Sequence, residues 1–324
     1  MIDSYGRNID YIRISVTDRC NLRCIYCMPE EGVALADHRD VLSYEEIEKI
    51  CRILARMGFT KVKLTGGEPL VRKDLKDLVK QLKQIKGLEK ITLTSNGVLL
   101  KEAIGPLVQA GISGVNVSLD TLSPGVFREI TRRDVFGQVM VGLEEALKYP
   151  ELSLKVNCVP MGIPGQEILK VADLARENCI HVRFIEMMPI GYGKQYRCLT
   201  QDEIMNQLTE AYGTMHPVCE PLGNGPACYY KPEKFRGSIG FISAVSHKFC
   251  SECNRIRLTS QGFLKTCLQY DTGRDLRRLL REGAAEETLQ EEIAKAILEK
   301  PREHHFADPE IQEEDGRMMC QIGG

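Results

Sequence analysis

The sequence predicts an α/β protein, an incomplete (β/α)6 barrel with a smaller C-terminal α+β extension that closes the open side. Three observations carry this expectation. From Tyr11 to about Pro189, short apolar strands alternate with amphipathic helical stretches, the pattern of parallel strands joined by right-handed crossovers. Most of those strands carry one polar face. After Pro189 the alternation stops and segments rich in glycine and proline take over.

Strands are expected over 11–16, 61–65, 90–94, 114–119, 152–159 and 182–186, and helices over 44–57, 75–85, 101–110, 137–148 and 166–177. The first strand sets Arg13 and Ser15 against Ile12, Ile14 and Val16. The second sets Lys63 and Thr65 against Val62 and Leu64, and the third sets Thr92 and Thr94 against Ile91 and Leu93. The fourth opposes Asn116 and Ser118 to Val115 and Val117, and the fifth opposes Lys155 and Asn157 to Leu154 and Val156. Alternation of period two sends each polar set to one face. Parallel strands covered on both faces normally read as continuous apolar runs. Here the helices take the apolar face, and the polar face lines a shared, wet interior. The alternative is a sheet with one face bare to solvent, which parallel sheets rarely have. Beyond Pro189, a Gly-Tyr-Gly-Lys-Gln run marks a linker within 190–198, a helix follows at 201–211, and then come the irregular 217–226 segment, short strands and two C-terminal helical stretches. The expected division is a barrel domain at 1–190 and a second domain at 191–324.

The chain has 324 residues, 43% hydrophobic and 27% charged, the composition of an ordinary globular protein. A net charge of −2 gives no global basic field for nucleic acid. No apolar run approaches the ~18 residues of a membrane span, and residues 1–5 lack the layout of a secretory signal. The expected location is therefore the cytoplasm, where 13 cysteines serve as metal ligands or core residues more than as disulfides.

Cys20, Cys24 and Cys27 follow the first strand with the spacing C-x3-C-x2-C. They offer three thiolates to a centre that wants four ligands. A structural zinc site is closed by a fourth Cys or His, whereas an iron–sulfur cluster on three thiolates leaves one iron open to a small molecule. This spacing resembles the radical S-adenosylmethionine (radical SAM) superfamily, in which SAM chelates the open iron. Thr65-Gly66-Gly67-Glu68-Pro69 follows the second strand. Alone it reads as a strand-to-helix turn. Next to the cysteine loop it resembles the superfamily element that binds the SAM amino group, with Gly67 allowing close backbone approach and Glu68 accepting a hydrogen bond. Tyr26, Ser118 and Met188 resemble further SAM contacts.

Cys250, Cys253 and Cys267 form a second set, C-x2-C-x13-C. Zinc stays open as an alternative, with Cys228, His247 or Cys320 as a recruited fourth ligand. A second 4Fe–4S cluster with an open iron suits three cysteines better. With Asn254-Arg255-Ile256-Arg257 and the terminal Gly323-Gly324, the chain from Gly6 to Gly324 resembles the GTP 3′,8-cyclases, radical SAM enzymes of the first step of molybdenum-cofactor biosynthesis. The resemblance implies two 4Fe–4S clusters and SAM as cofactors, and GTP as substrate. It implies that a 5′-deoxyadenosyl radical abstracts H3′ and that the C3′ radical then attacks C8 to give, after reduction and protonation, (8S)-3′,8-cyclo-7,8-dihydroguanosine 5′-triphosphate. The second cluster would hold the guanine. GTP contacts are implied for Arg13, Lys63, Thr94, Lys155, Arg255 and Arg257. The family usually has Arg where this chain has Lys63, so a point charge replaces a bidentate fork. Arg and Lys are natural counter-charges for a triphosphate. An electron donor, a downstream pterin-forming enzyme that takes the product, and a homodimer are the expected partners, with no nucleic acid and no membrane.

Gly323-Gly324 reads by default as a frayed end, but the resemblance implies a tail that inserts toward the active site. Residues 300–306, Lys-Pro-Arg-Glu-His-His-Phe, read as packing and helix termination, with a role toward substrate as the weaker alternative. Cys51, Cys158, Cys179, Cys198 and Cys219 have no ligand spacing and read as small hydrophobes. Two other readings stay open. One is a radical SAM enzyme acting on a peptide, which the clustered charge of the strand faces disfavours. The other is a metal-binding module without catalysis, in which Gly-Gly-Glu-Pro and the polar faces have no purpose.

Overall fold

Hydrophobic alternation builds the strands and helical periodicity covers them. In this computed structural model, residues 1–220, 222–306, 308 and 315–323 are described. The first half runs β1 (Tyr11–Ser15), α1 (Tyr44–Arg56), β2 (Lys61–Thr65), α2 (Leu75–Lys83), β3 (Lys90–Ser95), α3 (Leu100–Gln109), β4 (Gly114–Ser118), α4 (Pro124–Thr131), α5 (Phe136–Ala146), β5 (Ser153–Cys158), α6 (Ile168–Glu177) and β6 (His181–Ile185). Five of the helices were expected within two residues or so at each end. α4 was not. Its Ser123-Pro124-Gly125 start looks like a turn, yet Pro fits the first helical turn, where its missing N–H costs nothing.

The second half adds α7 (Gln201–Tyr212), β7 (Met215–Val218), β8 (Cys228–Pro232), β9 (Ser238–Ile242), β10 (Arg255–Leu258), β11 (Phe263–Lys265), β12 (Gly273–Asp275), α8 (Leu276–Arg281), α9 (Glu286–Leu298) and α10 (Met319–Ile322). Capping boxes fix two helix starts, Ser43 with Glu46 on α1 and Thr200 with Glu203 on α7.

All twelve strands belong to one open sheet in the order β12-β11-β10-β1-β2-β3-β4-β5-β6-β9-β8-β7. The six expected parallel strands lie at its centre in chain order. β10 joins β1 in parallel, and β9 joins β6 in parallel. The C-terminal residues thus extend both edges of the sheet, and antiparallel strands finish each side. The apolar strand faces pack under the helices: Ile12, Ile14, Val62, Leu64, Ile91, Leu93, Val115, Val117, Leu154 and Val156 all sit in the main core. No helix among the described residues is long and apolar enough to cross a membrane.

The chain end is held. Asp315 forms a fully buried ion pair with Lys265 and donates its N–H to the Gln269 carbonyl at 2.9 Å. α10 follows, and Gly323 lies against β1 and β2. Gly324 is outside the described residues.

Candidate active site

The polar face of the sheet borders one cavity of about 660 Å³, within the ~300–1,000 Å³ of small-molecule sites. Strand register sets its floor. Arg257, Arg13, Lys63 and Thr92 are neighbours across β10, β1, β2 and β3. Thr94, Asn116, Lys155 and His181 continue across β3 to β6. All of these residues line the cavity, together with Arg183 and Arg255. The expected wet interior exists, and the bare-sheet alternative is excluded.

Cations crowd this floor. Lys63 is buried, and burial together with Arg183, Arg13, Lys155 and Arg255 pushes its ammonium well below its usual range. Burial, then Arg183 and Lys90, bring Lys155 down to about 7. Its Nζ donates to the Leu222 carbonyl and to the Tyr229 hydroxyl at 3.4 Å. Arg183 holds Asn157 Oδ1 through Nε at 2.9 Å and Nη2 at 2.6 Å. His181 is depressed to about 4, by burial and then by Lys155 and Arg183. Such a concentration of buried positive charge is costly when empty and favours a polyanion.

The first cysteine set follows β1 at one side of this cavity. Burial lifts the Cys20 thiol to about 11 and raises Cys24 further. Cys27 is raised first by its hydrogen bond with Cys320, and then by burial. Cys320 therefore sits beside the first cysteine set, on α10, and not with the second. The loop carrying Cys20 is clamped to the glycines after β2. Gly67 donates to the Thr17 carbonyl and Glu68 donates to the Arg19 carbonyl, both at 2.8 Å. A Cβ on Gly67 would lie 2.4 Å from the Arg19 oxygen, and one on Gly66 would lie 2.6 Å from the Thr17 oxygen. These glycines thus serve close approach of the cysteine loop itself. Glu68 is buried and reaches about 7 by desolvation. It accepts from Ser95 Oγ at 2.8 Å, from the Asn96 amide at 2.6 Å and from the Leu70 amide at 3.0 Å.

Tyr26, Gly67, Glu68, Ser118 and Met188 all line this side. The Tyr26 hydroxyl donates to Asp120 Oδ2 at 2.8 Å, and Asp120 also accepts from the Val159 amide. Across the cavity lie Cys250, Cys253 and Cys267, with Lys300 and His304. Their charged and hydrogen-bonding neighbours are one another with Lys300, Arg255, Glu303 and the His304 amide. Cys228 and His247 are not among these neighbours, and both are exposed. Cys228, His247 and Cys320, the fourth ligands considered for zinc, are thus not gathered at the second set. Arg257 Nη1 donates to the Gly323 carbonyl at 2.8 Å. A Cβ on Gly323 would meet Ser15 and Thr65 within 3 Å. The described part of the tail is therefore inside the site.

Residues 14–193 match the family model for the radical SAM superfamily, and residues 180–306 match the model for Molybdenum Cofactor Synthesis C. GTP 3′,8-cyclase from Desulforamulus reducens is 44% identical over 328 residues, covering all of both chains, and that from Clostridium perfringens is 43% identical over 325 residues with the same coverage. The chain belongs to the GTP 3′,8-cyclase family. The fold is also that of Streptococcus suis SuiB bound to precursor peptide SuiA, with a TM-score of 0.63 at 14% identity over 98% of this chain and 77% of that one.

GTP 3′,8-cyclases are radical SAM enzymes, so SAM and iron–sulfur clusters are their cofactors. The side chains suit such groups by donor type, although among the described residues no three of them are gathered at metal-binding distance. Each cysteine set supplies thiols alone. Cys20 Sγ accepts from the Leu22 amide at 3.4 Å and from Asn96 Nδ2 at 3.9 Å, the donors that tune a cluster sulfur. At the second set, neither ring nitrogen of the buried His304 has a partner at hydrogen-bond geometry, although the Ala244 carbonyl is near.

Several site residues escaped the sequence reading of this cyclase. Arg183 lies on β6, where the same alternation of His181, Arg183 and Ile185 was available as a signal. Asp120 was legible only as the end of Asn-Val-Ser-Leu-Asp. Lys300 was noted only within the 300–306 segment read as packing, because its place at the second cysteine set depends on a return of the chain from α9.

Proposed function

We propose that this chain converts GTP to (8S)-3′,8-cyclo-7,8-dihydroguanosine 5′-triphosphate, the first step of molybdenum-cofactor biosynthesis. One observation carries the reading: two three-cysteine sets and a floor of buried cations share a single cavity. Cys20, Cys24 and Cys27 hold a SAM-binding 4Fe–4S cluster, and Cys250, Cys253 and Cys267 hold an auxiliary one. Tyr26, Gly67, Glu68, Ser118 and Met188 contact SAM. Arg13, Lys63, Thr94, Lys155, Arg255 and Arg257 contact GTP, joined by Arg183.

The bound cluster and SAM would supply abstraction of the H3′ hydrogen atom; with the C3′–C8 bond made, one electron, ultimately from the external donor, and one proton complete the 7,8-dihydro product. The chain's own residues place and shield. The cations of β1, β2, β5, β6 and β10 neutralise the triphosphate and fix the ribose by holding its 5′ end. Thr94, whose Oγ1 accepts from Asn116 Nδ2 at 3.3 Å, presents a hydroxyl of set direction. Glu68 and the Tyr26–Asp120 pair are buried acceptors and donors on the SAM side, already oriented before a ligand arrives. The tail and the 222–226 segment exclude water.

Residues 1–190 form the part that takes SAM, and 191–324 the part that takes the guanine. The division is one of labour, since the two share a sheet. A homodimer in the cytoplasm, an external electron donor and a downstream pterin-forming enzyme complete the reading.

The test is anaerobic reconstitution followed by incubation with SAM, a reductant and GTP, with products read by mass spectrometry. 5′-Deoxyadenosine together with a cyclised GTP isomer is expected. 5′-Deoxyadenosine with GTP untouched would overturn the substrate, and neither product from iron-loaded protein would overturn the reaction.

A further inference from the structure

The segment after α9 has no part in the reaction as described, yet it borders the second cysteine set. Lys300 is 3% exposed. Its ammonium donates to the Arg255 carbonyl at 3.2 Å and to the Thr266 carbonyl, and it hydrogen-bonds Cys253. Arg255 and Thr266 adjoin the cysteines themselves, two residues after Cys253 and one before Cys267. The nearby carboxylate of Glu303 is engaged elsewhere, with Lys248 at 3.4 Å. Among the described residues the hydrogen-bond partners of this buried ammonium are neutral carbonyls and the Cys253 thiol, with no carboxylate in an ion pair with it, and a buried charge favours a counter-charge.

Four residues on, His304 repeats the pattern. Its amide hydrogen-bonds Cys250. The ring is stacked on Phe306, with centroids 4.4 Å apart. It is 7% exposed, and its nitrogens make no hydrogen bond of good geometry, although the Ala244 carbonyl lies near the ring. A buried imidazole without a hydrogen bond is rare and calls for a partner. Lys300 touches Cys253, and the His304 ring lines the same cavity beside its own amide's contact with Cys250, so a cluster on three thiolates would bring a negative charge to the first and sulfur acceptors near the second. Its charge is negative in either oxidation state, and its sulfurs accept hydrogen bonds.

We propose that Lys300 is the counter-ion of the auxiliary cluster and that the His304 ring donates an N–H to one of its sulfurs, so that together they raise its reduction potential. The proposal rests on the assignment of Cys250, Cys253 and Cys267 as cluster ligands. A fixed cation and a sulfur-directed donor each stabilise the reduced, more negative cluster over the oxidised one. Lys300 and His304 are positioning residues, acting through the cluster and not on the substrate.

The test is a redox titration of the anaerobic holoenzyme, followed by electron paramagnetic resonance, with iron counted per chain. Lys300→Gln keeps a donor and removes the charge. His304→Phe keeps the ring shape and removes the nitrogens. Both variants are expected to move the auxiliary midpoint to more negative potential, Lys300→Gln by more, while the midpoint of the SAM-binding cluster stays in place. Lys300→Arg is expected to restore the wild-type value. An auxiliary midpoint unmoved in both variants at full iron content would overturn the proposal. So would a cluster lost in Lys300→Gln and not regained in Lys300→Arg. Wild-type protein with iron and a signal for only one cluster would instead overturn the ligand assignment.

Discussion

Lys155 shows how a single side chain couples charge to ligand. Its ammonium is depressed to about 7 by burial, Arg183 and Lys90, so near pH 8 the empty site holds it largely neutral. A triphosphate beside it favours the charged form and restores the proton. GTP binding at pH 8 should therefore take up protons, and Lys155→Met should reduce that uptake. Calorimetry in buffers of different ionisation enthalpy measures it. Lys155→Ala should also weaken GTP binding about 10- to 100-fold, the ~1.5–3 kcal/mol of a hydrogen bond to a charged group, with a shallower dependence on salt. Glu68 works in the opposite sense. Its folded value of about 7 lies above the ordinary 4.5, so the folded state keeps a proton that the unfolded chain loses. The resulting stability is full below about pH 4.5 and is lost as pH rises through about 7. Glu68→Gln should flatten that part of the pH profile of denaturant unfolding. At this scale the cysteines, Arg13 and Lys155 were legible because motif spacing and strand alternation are local. Arg183 was equally local and was passed over. The pairing of Cys320 with Cys27 was not legible, since it joins positions brought together only by the tail.

At the level of elements, the glycine turn after β2 is where the site depends on backbone. The Cβ of Gly67→Ala would press on the Arg19 carbonyl, which belongs to a backbone strand of contacts and not to a side chain able to swing away. Overpacking of this kind costs about 1–3 kcal/mol. The variant should show a lower Tm and, because the displaced loop carries Cys20, less iron in the SAM-binding cluster with the auxiliary signal kept. Thermal denaturation and iron analysis together check both parts. Equal loss of both clusters would point to general misfolding instead. The strands were readable almost to the residue, because one polar and one apolar face repeat in β1 to β5. α4 was missed because Ser-Pro-Gly is ambiguous between a turn and a helix start, and only packing of Phe127 and Ile130 into the interior decides it.

For the whole molecule, the decisive feature is that both edges of the central parallel run are completed by the C-terminal part. β10 supplies four partners to β1, and β9 supplies five to β6. A fragment ending at residue 190 would leave β1 and β6 as bare edges, a template for aggregation. It should be insoluble or oligomeric, whereas the full chain unfolds with both halves together. Size-exclusion chromatography of the fragment checks this, and a monomer with cooperative unfolding would contradict it. The change of pattern after Pro189 was legible but the sheet it joins was not, because pairing of β1 with β10 depends on residues more than two hundred positions apart.

That separation also has a meaning in time. At ~5–20 residues per second of synthesis, β10 emerges roughly 10–50 s after β1. Throughout that interval the first cysteine loop hangs beside an unfinished edge, reachable from outside. Once β10 and the tail are seated, the thiols of that loop are half-buried on the cavity wall. The three thiols are thus more open to their surroundings while β10 is still being made than after it has docked.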